Sequence, residues 1–225
     1  MKQISIVGDS ISTNYGFVPD GYKVYYDEKK AKENQLTSVE DTWWRIVCKH
    51  LGAKICVNNS YSGSRVSGNG FPCASSDERT SSLHTENATP DLILLYIGAN
   101  DFGRGIGVKE NPFFYKEAIF YDAYKDMLQK IKNNYPNSKI VCGTLMKSSV
   151  KNNPEWEYLR SKTGISLEEY NKAIREIANN LDVLVADLAA LNIPYETLDT
   201  LHPTKTGHKI IANAWISELN RIGIC

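Results

Sequence analysis

Residues 91–101 of the chain read Asp-Leu-Ile-Leu-Leu-Tyr-Ile-Gly-Ala-Asn-Asp. The segment from Leu92 to Ile97 is almost continuously apolar, without the alternation of a strand that has one face in water. Strands covered on both faces carry such runs, and they occur in parallel sheets flanked by helices. The segment therefore predicts a central, buried strand that ends in a polar loop at Gly98.

Four further segments resemble this strand, and helical patterns separate them. That alternation predicts an α/β fold in which a parallel sheet is connected by crossover helices. Ser166 and Glu169 have the spacing of a capping box, which marks a helix start. The predicted strands are Gln3 to Val7, Lys54 to Asn58, Asp91 to Ile97, Lys139 to Thr144 and Val183 to Asp187. The predicted helices are Thr42 to Leu51, Tyr115 to Asn134, Ser166 to Asn180 and Lys205 to Ile222.

Two segments lack a clean periodicity, residues 15–41 and residues 60–90. Both follow strand ends, where open α/β sheets bind their ligands. The first segment combines several tyrosines with a charged stretch, which suits either the rim of a binding site or a surface excursion packed by its own aromatic residues. We expect a single domain over residues 1–225, with a longer loop at about 15–41.

The amino-acid composition limits which kinds of molecule the protein is expected to bind and where in the cell it is expected to occur. The 26 lysines and arginines balance the 26 aspartates and glutamates, so net charge gives no reason to expect nucleic acid or an anionic membrane. No apolar run approaches the ~20 residues that span a bilayer. The short amino-terminal segment before Ile4 lacks a signal-peptide pattern, which predicts a cytoplasmic protein or a mature form whose leader was removed. The five cysteines include no C-x-x-C pair, so neither a disulfide framework nor a zinc site is expected.

Gly8-Asp9-Ser10 directly follows the first predicted strand. This placement puts the Ser10 hydroxyl on a tight turn at the carboxyl end of the sheet, where glycine lets the backbone approach a ligand. An Asp-Ser pair after a strand is also a common helix N-cap. The tripeptide alone therefore leaves a nucleophile and a capping residue as alternatives.

Asp199 stands three residues before His202, just ahead of the last predicted helix. A turn of this length can bring the carboxylate to the ring N–H of His202, which leaves the other ring nitrogen free to accept a proton from Ser10. The alternative is a turn aspartate beside a histidine at a helix entry.

Gly63 and Asn100 follow the second and third strands. A backbone N–H and an asparagine amide are suitable donors for the oxyanion of an acyl-transfer intermediate. Glycine and asparagine are also common turn residues for conformational reasons. All four sequence elements are predicted to lie at one edge of the sheet.

These blocks, in this order, resemble the SGNH hydrolases, also called the GDSL esterase/lipase family. The resemblance extends from Gly8 to about His208 and is carried by Gly8-Asp9-Ser10, Asn59-Ser60-Tyr61-Ser62-Gly63, Gly98-Ala99-Asn100-Asp101 and Asp199-Thr200-Leu201-His202-Pro203. The sequence departs from the family pattern in having Ile11-Ser12 where a leucine often follows the serine.

The resemblance implies a flavodoxin-like, three-layer α/β/α sandwich and a serine ester hydrolase. It further implies that Ser10 is the nucleophile, His202 the base and Asp199 the group behind it. The oxyanion hole would consist of the Ser10 N–H, the Gly63 N–H and the Asn100 amide. It implies no cofactor and no metal.

The substrate is expected to be a short acyl ester, especially an acetyl group on a carbohydrate or other polar small molecule. Tyr22, Tyr25 and Arg104 are the predicted substrate contacts, because the first loop pairs aromatic with charged residues and Arg104 follows Asn100. We expect neither nucleic acid nor membrane as a partner. An acyltransferase using the same triad, a flavodoxin-like ligand-binding protein and a catalytically silent carbohydrate-binding relative remain as alternatives.

Other chemical patterns are weaker. Asp77, Glu78, His84 and Glu86 lack metal-ligand spacing and suit a solvated loop. His50 and His208 are expected at helix surfaces or caps. The glycine-rich stretch from Gly103 to Gly107 lacks the lysine of a P-loop and predicts a mobile segment beside Asn100.

Overall fold

The computed structural model describes residues 2–110, 119–153, 155–156 and 161–224. Its strands are β1 (Gln3–Gly8), β2 (Lys54–Ser60), β3 (Leu92–Tyr96), β4 (Lys139–Gly143), β5 (Ser148–Val150), β6 (Leu184–Ala186) and β7 (Tyr195–Thr197). Its α-helices are α1 (Glu28–Glu33), α2 (Trp43–His50), α3 (Asp77–Ser81), α4 (Ala99–Arg104), α5 (Phe120–Asn134), α6 (Leu167–Asn180) and α7 (Lys205–Arg221).

The main sheet has the order β2-β1-β3-β4-β6, and every neighbouring pair is parallel. The helix α2 packs against α7, whereas α5 packs against both α3 and α6. These two groups of helices cover the two faces of the sheet, which explains why β3 is buried at every position. The predicted α/β/α fold and its flavodoxin-like strand order are confirmed.

The carboxyl ends of three strands lie level with one another. Gly8, the last residue of β1, pairs with Ser60 of β2 on one side and with Tyr96 of β3 on the other. The strand order reverses between β1 and β3, and open α/β sheets bind ligands in the crevice at such a reversal. The loops that begin at Asp9, Tyr61 and Ile97 therefore meet at one edge.

Aromatic packing joins the sheet to the helices on one face. The rings of Trp43 in α2 and Trp215 in α7 stack with centroids 5.5 Å apart, and Tyr96 contacts both rings edge-on. Gly143 lies under Trp215, and any side chain at that position would collide with the indole. Close packing of this kind fixes the position of α7 relative to the sheet.

The five predicted strands and the capping box at Ser166 are confirmed. The two segments without periodicity, 15–41 and 60–90, are more regular than expected, because they contain α1 and α3. Both helices are shorter than two turns, so no periodic pattern could reveal them. Residues 103–107, predicted as a mobile segment, begin inside α4. The helix predicted from Tyr115 to Asn134 is present as α5 from Phe120 onward, and its residues 115–118 lie outside the described residues.

The small parallel sheet of β5 and β7 was not predicted, since three-residue strands carry too little pattern. Within the described ranges, no helix has both the length and the apolar character to cross a bilayer. Cys48, Cys56 and Cys142 are free thiols, and Cys225 lies outside the described residues.

Candidate active site

Ser10 begins a short 3-10 turn immediately after β1. The Asp9 carboxylate caps this turn by accepting a hydrogen bond of 3.0 Å from the Ile11 N–H. Gly8 has no space for a side chain, because a Cβ there would lie 2.7 Å from the Ser12 hydroxyl and 2.8 Å from the Ser60 hydroxyl. The sequence therefore folds into a turn that is tight enough to fix the Ser10 side chain.

Asp199 and His202 lie in the turn between β7 and α7. Other parts of the chain hold this turn by its backbone carbonyls: the Ser148 hydroxyl donates to Thr200 O at 2.6 Å, and the Tyr195 hydroxyl donates to Leu201 O at 3.0 Å. Thr200 has φ +76°, a left-handed conformation that is uncommon for a β-branched residue. Such strain persists only where the surrounding contacts enforce it.

The structure brings Ser10, His202 and Asp199 into one hydrogen-bonded chain. His202 Nε2 lies 2.9 Å from Ser10 Oγ, and His202 Nδ1 lies 2.7 Å from Asp199 Oδ2. These separations suit proton transfer from a hydroxyl to an imidazole that a carboxylate orients. Two residues separated by 192 positions in the chain, Ser10 and His202, thus lie within hydrogen-bond distance of each other.

Both oxygens of Asp199 are occupied by donors. Oδ1 accepts the backbone N–H groups of His202 at 2.8 Å and Leu201 at 3.1 Å. Oδ2 accepts the imidazole and the Tyr25 hydroxyl, the latter at 2.8 Å. Burial alone would raise the pKa of Asp199, but the hydrogen bonds from His202 and Tyr25 hold this pKa well below its usual range. The carboxylate therefore stays ionised at neutral pH.

The predicted oxyanion donors lie on the adjoining loops. Gly63 is exposed in a turn after β2 and has φ +81°, which favours glycine. Asn100 lies in the first turn of α4, and its amide nitrogen is 3.4 Å from the Asp9 carboxylate. The two loops are tied together by Asp101, which accepts the N–H groups of Val66 at 2.8 Å and Ser67 at 3.0 Å.

Asp9 is a buried carboxylic acid next to the serine. Its burial raises its pKa to about 6, and the hydrogen bond from Ile11 opposes that rise. Because this side chain accepts the Ile11 N–H, it occupies the place where a phosphate-binding loop would present its donors. This arrangement disfavours the nucleotide- or flavin-binding alternative.

The three predicted substrate contacts differ in their surroundings. Tyr25 stacks on His202 and donates to Asp199, so it belongs to the hydrogen-bonded chain. Tyr22 packs edge-on against Tyr61 at 5.5 Å and Phe71 at 5.4 Å, beside the Gly63 turn. Arg104 is exposed at the end of α4, four residues after Asn100 and on the same helical face. Substrate binding by these residues stays a prediction.

Sequence reasoning missed Arg79. The residue is completely buried, and its guanidinium donates to Gly8 O at 3.0 Å, Pro72 O at 2.8 Å and both oxygens of Asn59. Burial lowers its pKa to about 10. Arg79 thus joins the ends of β1 and β2 to the loop that carries Gly63. Its neighbours Asp77 and Glu78 are charged and favoured a solvated loop, so no local signal indicated burial.

The two remaining histidines differ as well. His50 is exposed at the end of α2, whereas His208 is buried and accepts the Trp43 N–H at 3.2 Å, which caps the start of α2. The capping role expected of His208 is therefore present, but away from the surface. Within the described part of the chain, no group of three or more histidine, cysteine, aspartate or glutamate side chains is placed to hold a metal ion.

The chain is similar to known proteins both in sequence and in structure. The sequence model of the family described as GDSL-like Lipase/Acylhydrolase matches residues 2–219. A solved structure of a GDSL-like lipase from Bacteroides uniformis is 28% identical, covers 98% of this chain and 96% of that one, and superposes with a TM-score of 0.70. A GDSL-like lipase from Bacteroides ovatus is 24% identical, with 98% and 99% coverage and a TM-score of 0.71, which shows a shared fold.

A curated protein also matches this chain in part. It is an acetylxylan esterase from Geobacillus stearothermophilus that is 25% identical over 140 residues. The match includes 58% of this chain and spans 59% of the length of that relative.

Proposed function

Because the chain belongs to the GDSL-like lipase/acylhydrolase family, we propose that it hydrolyses carboxylic esters with Ser10 as nucleophile, His202 as base and Asp199 as the orienting group. The observation that carries the proposal is the continuous hydrogen-bonded chain, 2.9 Å from Ser10 to His202 and 2.7 Å from His202 to Asp199. A serine hydroxyl becomes an effective nucleophile when an adjacent base removes its proton.

In the acylation half-reaction, Ser10 Oγ forms a bond to the ester carbonyl carbon while His202 Nε2 takes the hydroxyl proton. The resulting oxyanion accepts hydrogen bonds from the N–H groups of Ser10 and Gly63 and from the Asn100 amide. The tetrahedral intermediate then breaks the bond to the alcohol oxygen, and His202 returns its proton to that oxygen. Ionised Asp199 stabilises the transient imidazolium without taking its proton.

In the deacylation half-reaction, water replaces the alcohol. His202 takes a proton from water as the water oxygen attacks the acyl carbon, and the same donors hold the second oxyanion. Collapse breaks the bond to Ser10 Oγ, which regains a proton from His202. An alcohol in place of water would give acyl transfer with the same residues.

We further propose a short acyl group, such as acetyl, on a carbohydrate or similar polar alcohol. An aromatic cluster beside the Gly63 turn supports this choice, with Tyr22, Tyr61 and Phe71 in mutual edge-to-face contact at 5.3 to 5.5 Å. Phe71 is 44% exposed, so the cluster offers an aromatic face to a ligand. The partial match to an acetylxylan esterase also favours this substrate class. No nucleic acid or membrane is part of the proposal.

The test is a series of esters of one chromogenic leaving group with acyl chains from acetyl to decanoyl, together with an acetylated xylo-oligosaccharide. We expect kcat/KM to fall with chain length, and we expect Ser10→Ala to abolish turnover of every substrate. Tyr22→Ala should raise KM for the oligosaccharide more than for the chromogenic acetate. The control is Tyr15→Ala, because Tyr15 lies in the same loop and is 74% exposed. A preference for the decanoyl ester would contradict the substrate proposal, and turnover by Ser10→Ala would contradict the mechanism.

A further inference from the structure

Tyr25 makes two separate contacts with the Asp199–His202 pair. Its ring lies flat on the imidazole of His202, with centroids 3.3 Å apart and an interplanar angle of 7°. Its hydroxyl donates to Asp199 Oδ2 at 2.8 Å, the same oxygen that accepts the imidazole. One side chain therefore contacts both members of the pair, although it lies more than 170 residues away in the sequence.

The backbone of Tyr25 is fixed to the serine turn. The Tyr25 N–H donates to the Thr13 hydroxyl at 2.9 Å, and that hydroxyl donates to Ser10 O at 3.1 Å. The ring of the buried Tyr26 supports Tyr25 edge-on at 4.9 Å. Tyr25 thus connects the turn that carries the nucleophile with the turn that carries the base.

The Asp199–His202 pair is partly exposed to water on the side that Tyr25 contacts. The Asp199 side chain is 41% exposed, and an exposed ion pair gains little because water competes for both partners. An aromatic ring over the imidazole excludes water from one of its faces. A phenol on Oδ2 occupies an acceptor position that water would otherwise fill, so the carboxylate keeps its orientation toward His202.

We propose that Tyr25 is a positioning residue for catalysis, which holds the Asp199–His202 pair in its reactive geometry where burial does not. This inference rests on the proposed function. The phenol remains a donor over the whole working range, because burial and the hydrogen bond to Asp199 raise its pKa above its ordinary value. Its removal should therefore change how Asp199 interacts with the imidazolium.

Other charged groups around the pair remain in place when the phenol is removed. Lys30 lies over the Tyr25 ring with its ammonium 5.9 Å from the centroid, and Glu33 pairs with Lys30. Asp9 and the buried His208 act on His202 at longer range. Tyr25→Phe alters none of these groups and keeps the ring stack, so it isolates the hydroxyl.

The experiment compares Tyr25→Phe and Tyr25→Ala with wild type and with Tyr15→Ala, using a chromogenic acetate. A hydrogen bond to a charged group is worth enough to predict a loss of about tenfold in kcat for Tyr25→Phe. We expect little change in KM. Tyr25→Ala also loses the stack, and we expect a loss of about 100-fold. Tyr15→Ala should match wild type.

The pH profile separates positioning from a merely structural role. Without the phenol, water binds Asp199 Oδ2 and the carboxylate holds the imidazolium less firmly, so the acid limb of kcat/KM should move to lower pH in Tyr25→Phe. Wild-type kcat together with an unmoved acid limb would overturn the proposal, as would a lower kcat with an unmoved limb. Activity that survives Ser10→Ala would instead refute the proposed function, so the two failures are distinguishable.

Discussion

In the proposed mechanism, Asp9 determines which end of the Asn100 amide faces the reacting carbonyl. The Asn100 nitrogen lies 3.4 Å from the Asp9 carboxylate, which can accept a hydrogen bond but cannot donate one while it is ionised. This leaves the second N–H of the amide for an oxyanion. An amide rotated by half a turn would present its oxygen, which would repel the oxyanion.

We predict that Asp9→Asn lowers kcat by about 100-fold, which is the usual cost of losing an oxyanion donor. The amide introduced by this substitution would place a donor opposite the Asn100 donor and favour the rotated form. Asn100→Ala should cost a similar factor. A double-mutant cycle provides the check, because residues that act through one another are not additive. If the double variant showed the product of the two losses, Asp9 would act by another route.

Some short helices and strands hold residues around the candidate site, although the sequence pattern does not reveal them. The helix α3 positions Arg79, whose guanidinium donates hydrogen bonds to carbonyl oxygens at the ends of two strands and in the Gly63 loop. No carboxylate pairs directly with Arg79 among the contacts described above. Its role is to satisfy buried acceptors, which are costly to leave unpaired.

We predict that Arg79→Ala lowers the free energy of unfolding by about 3 kcal/mol or more, because several buried carbonyls lose their donor at once. The matched control is Arg45→Ala. Arg45 bonds only to the half-exposed Glu40 among the hydrogen bonds described, and we expect less than about 1 kcal/mol. Urea unfolding of both variants gives the comparison. Equal losses would show that the buried contacts of Arg79 contribute no more than a surface ion pair.

The sequence was sufficient for those elements whose pattern is long or whose motif is specific. Near-continuous apolar runs identified the five strands of the main sheet. Four ordered blocks predicted Ser10, Gly63, Asn100, Asp199 and His202 as one set, and the structure joins Ser10, His202 and Asp199 by hydrogen bonds. Contacts that depend on side-chain packing left no such pattern. Tyr25 is the tyrosine of residues 15–41 that stacks on His202. The aromatic composition of that segment does not indicate which tyrosine makes this contact.

Two buried titratable groups have opposite effects on the pH dependence of stability of the whole molecule. Burial lowers the pKa of His208 to about 3, so the folded state stays neutral while the unfolded state binds a proton below about 6.5. The free energy of unfolding therefore decreases, because of His208, as the pH falls below about 6.5. Burial raises the pKa of Asp9 to about 6, so the folded state binds its proton first and gains stability as pH falls from about 6 towards 3.8.

Between pH 7 and 4.5 the His208 loss amounts to about 2.5 kcal/mol and the Asp9 gain to about 2 kcal/mol, so they nearly cancel in wild type. We predict that His208→Asn removes the loss and becomes more stable on acidification over this range. The oxygen of the introduced amide can still accept the Trp43 N–H. Urea unfolding at the two pH values measures the slope, with His50→Asn as an exposed control. A slope equal to that of wild type would contradict the linkage.

Covalent labelling by a fluorophosphonate tests whether Ser10 is the nucleophile. Peptide mapping by mass spectrometry should place a single adduct on Ser10. His202→Ala should slow labelling by about 1,000-fold or more, because the serine loses its base. Ser62→Ala, which removes a rival hydroxyl beside Gly63, should label as fast as wild type. An adduct on another residue, or an active protein that remains unlabelled, would show that Ser10 is not the nucleophile.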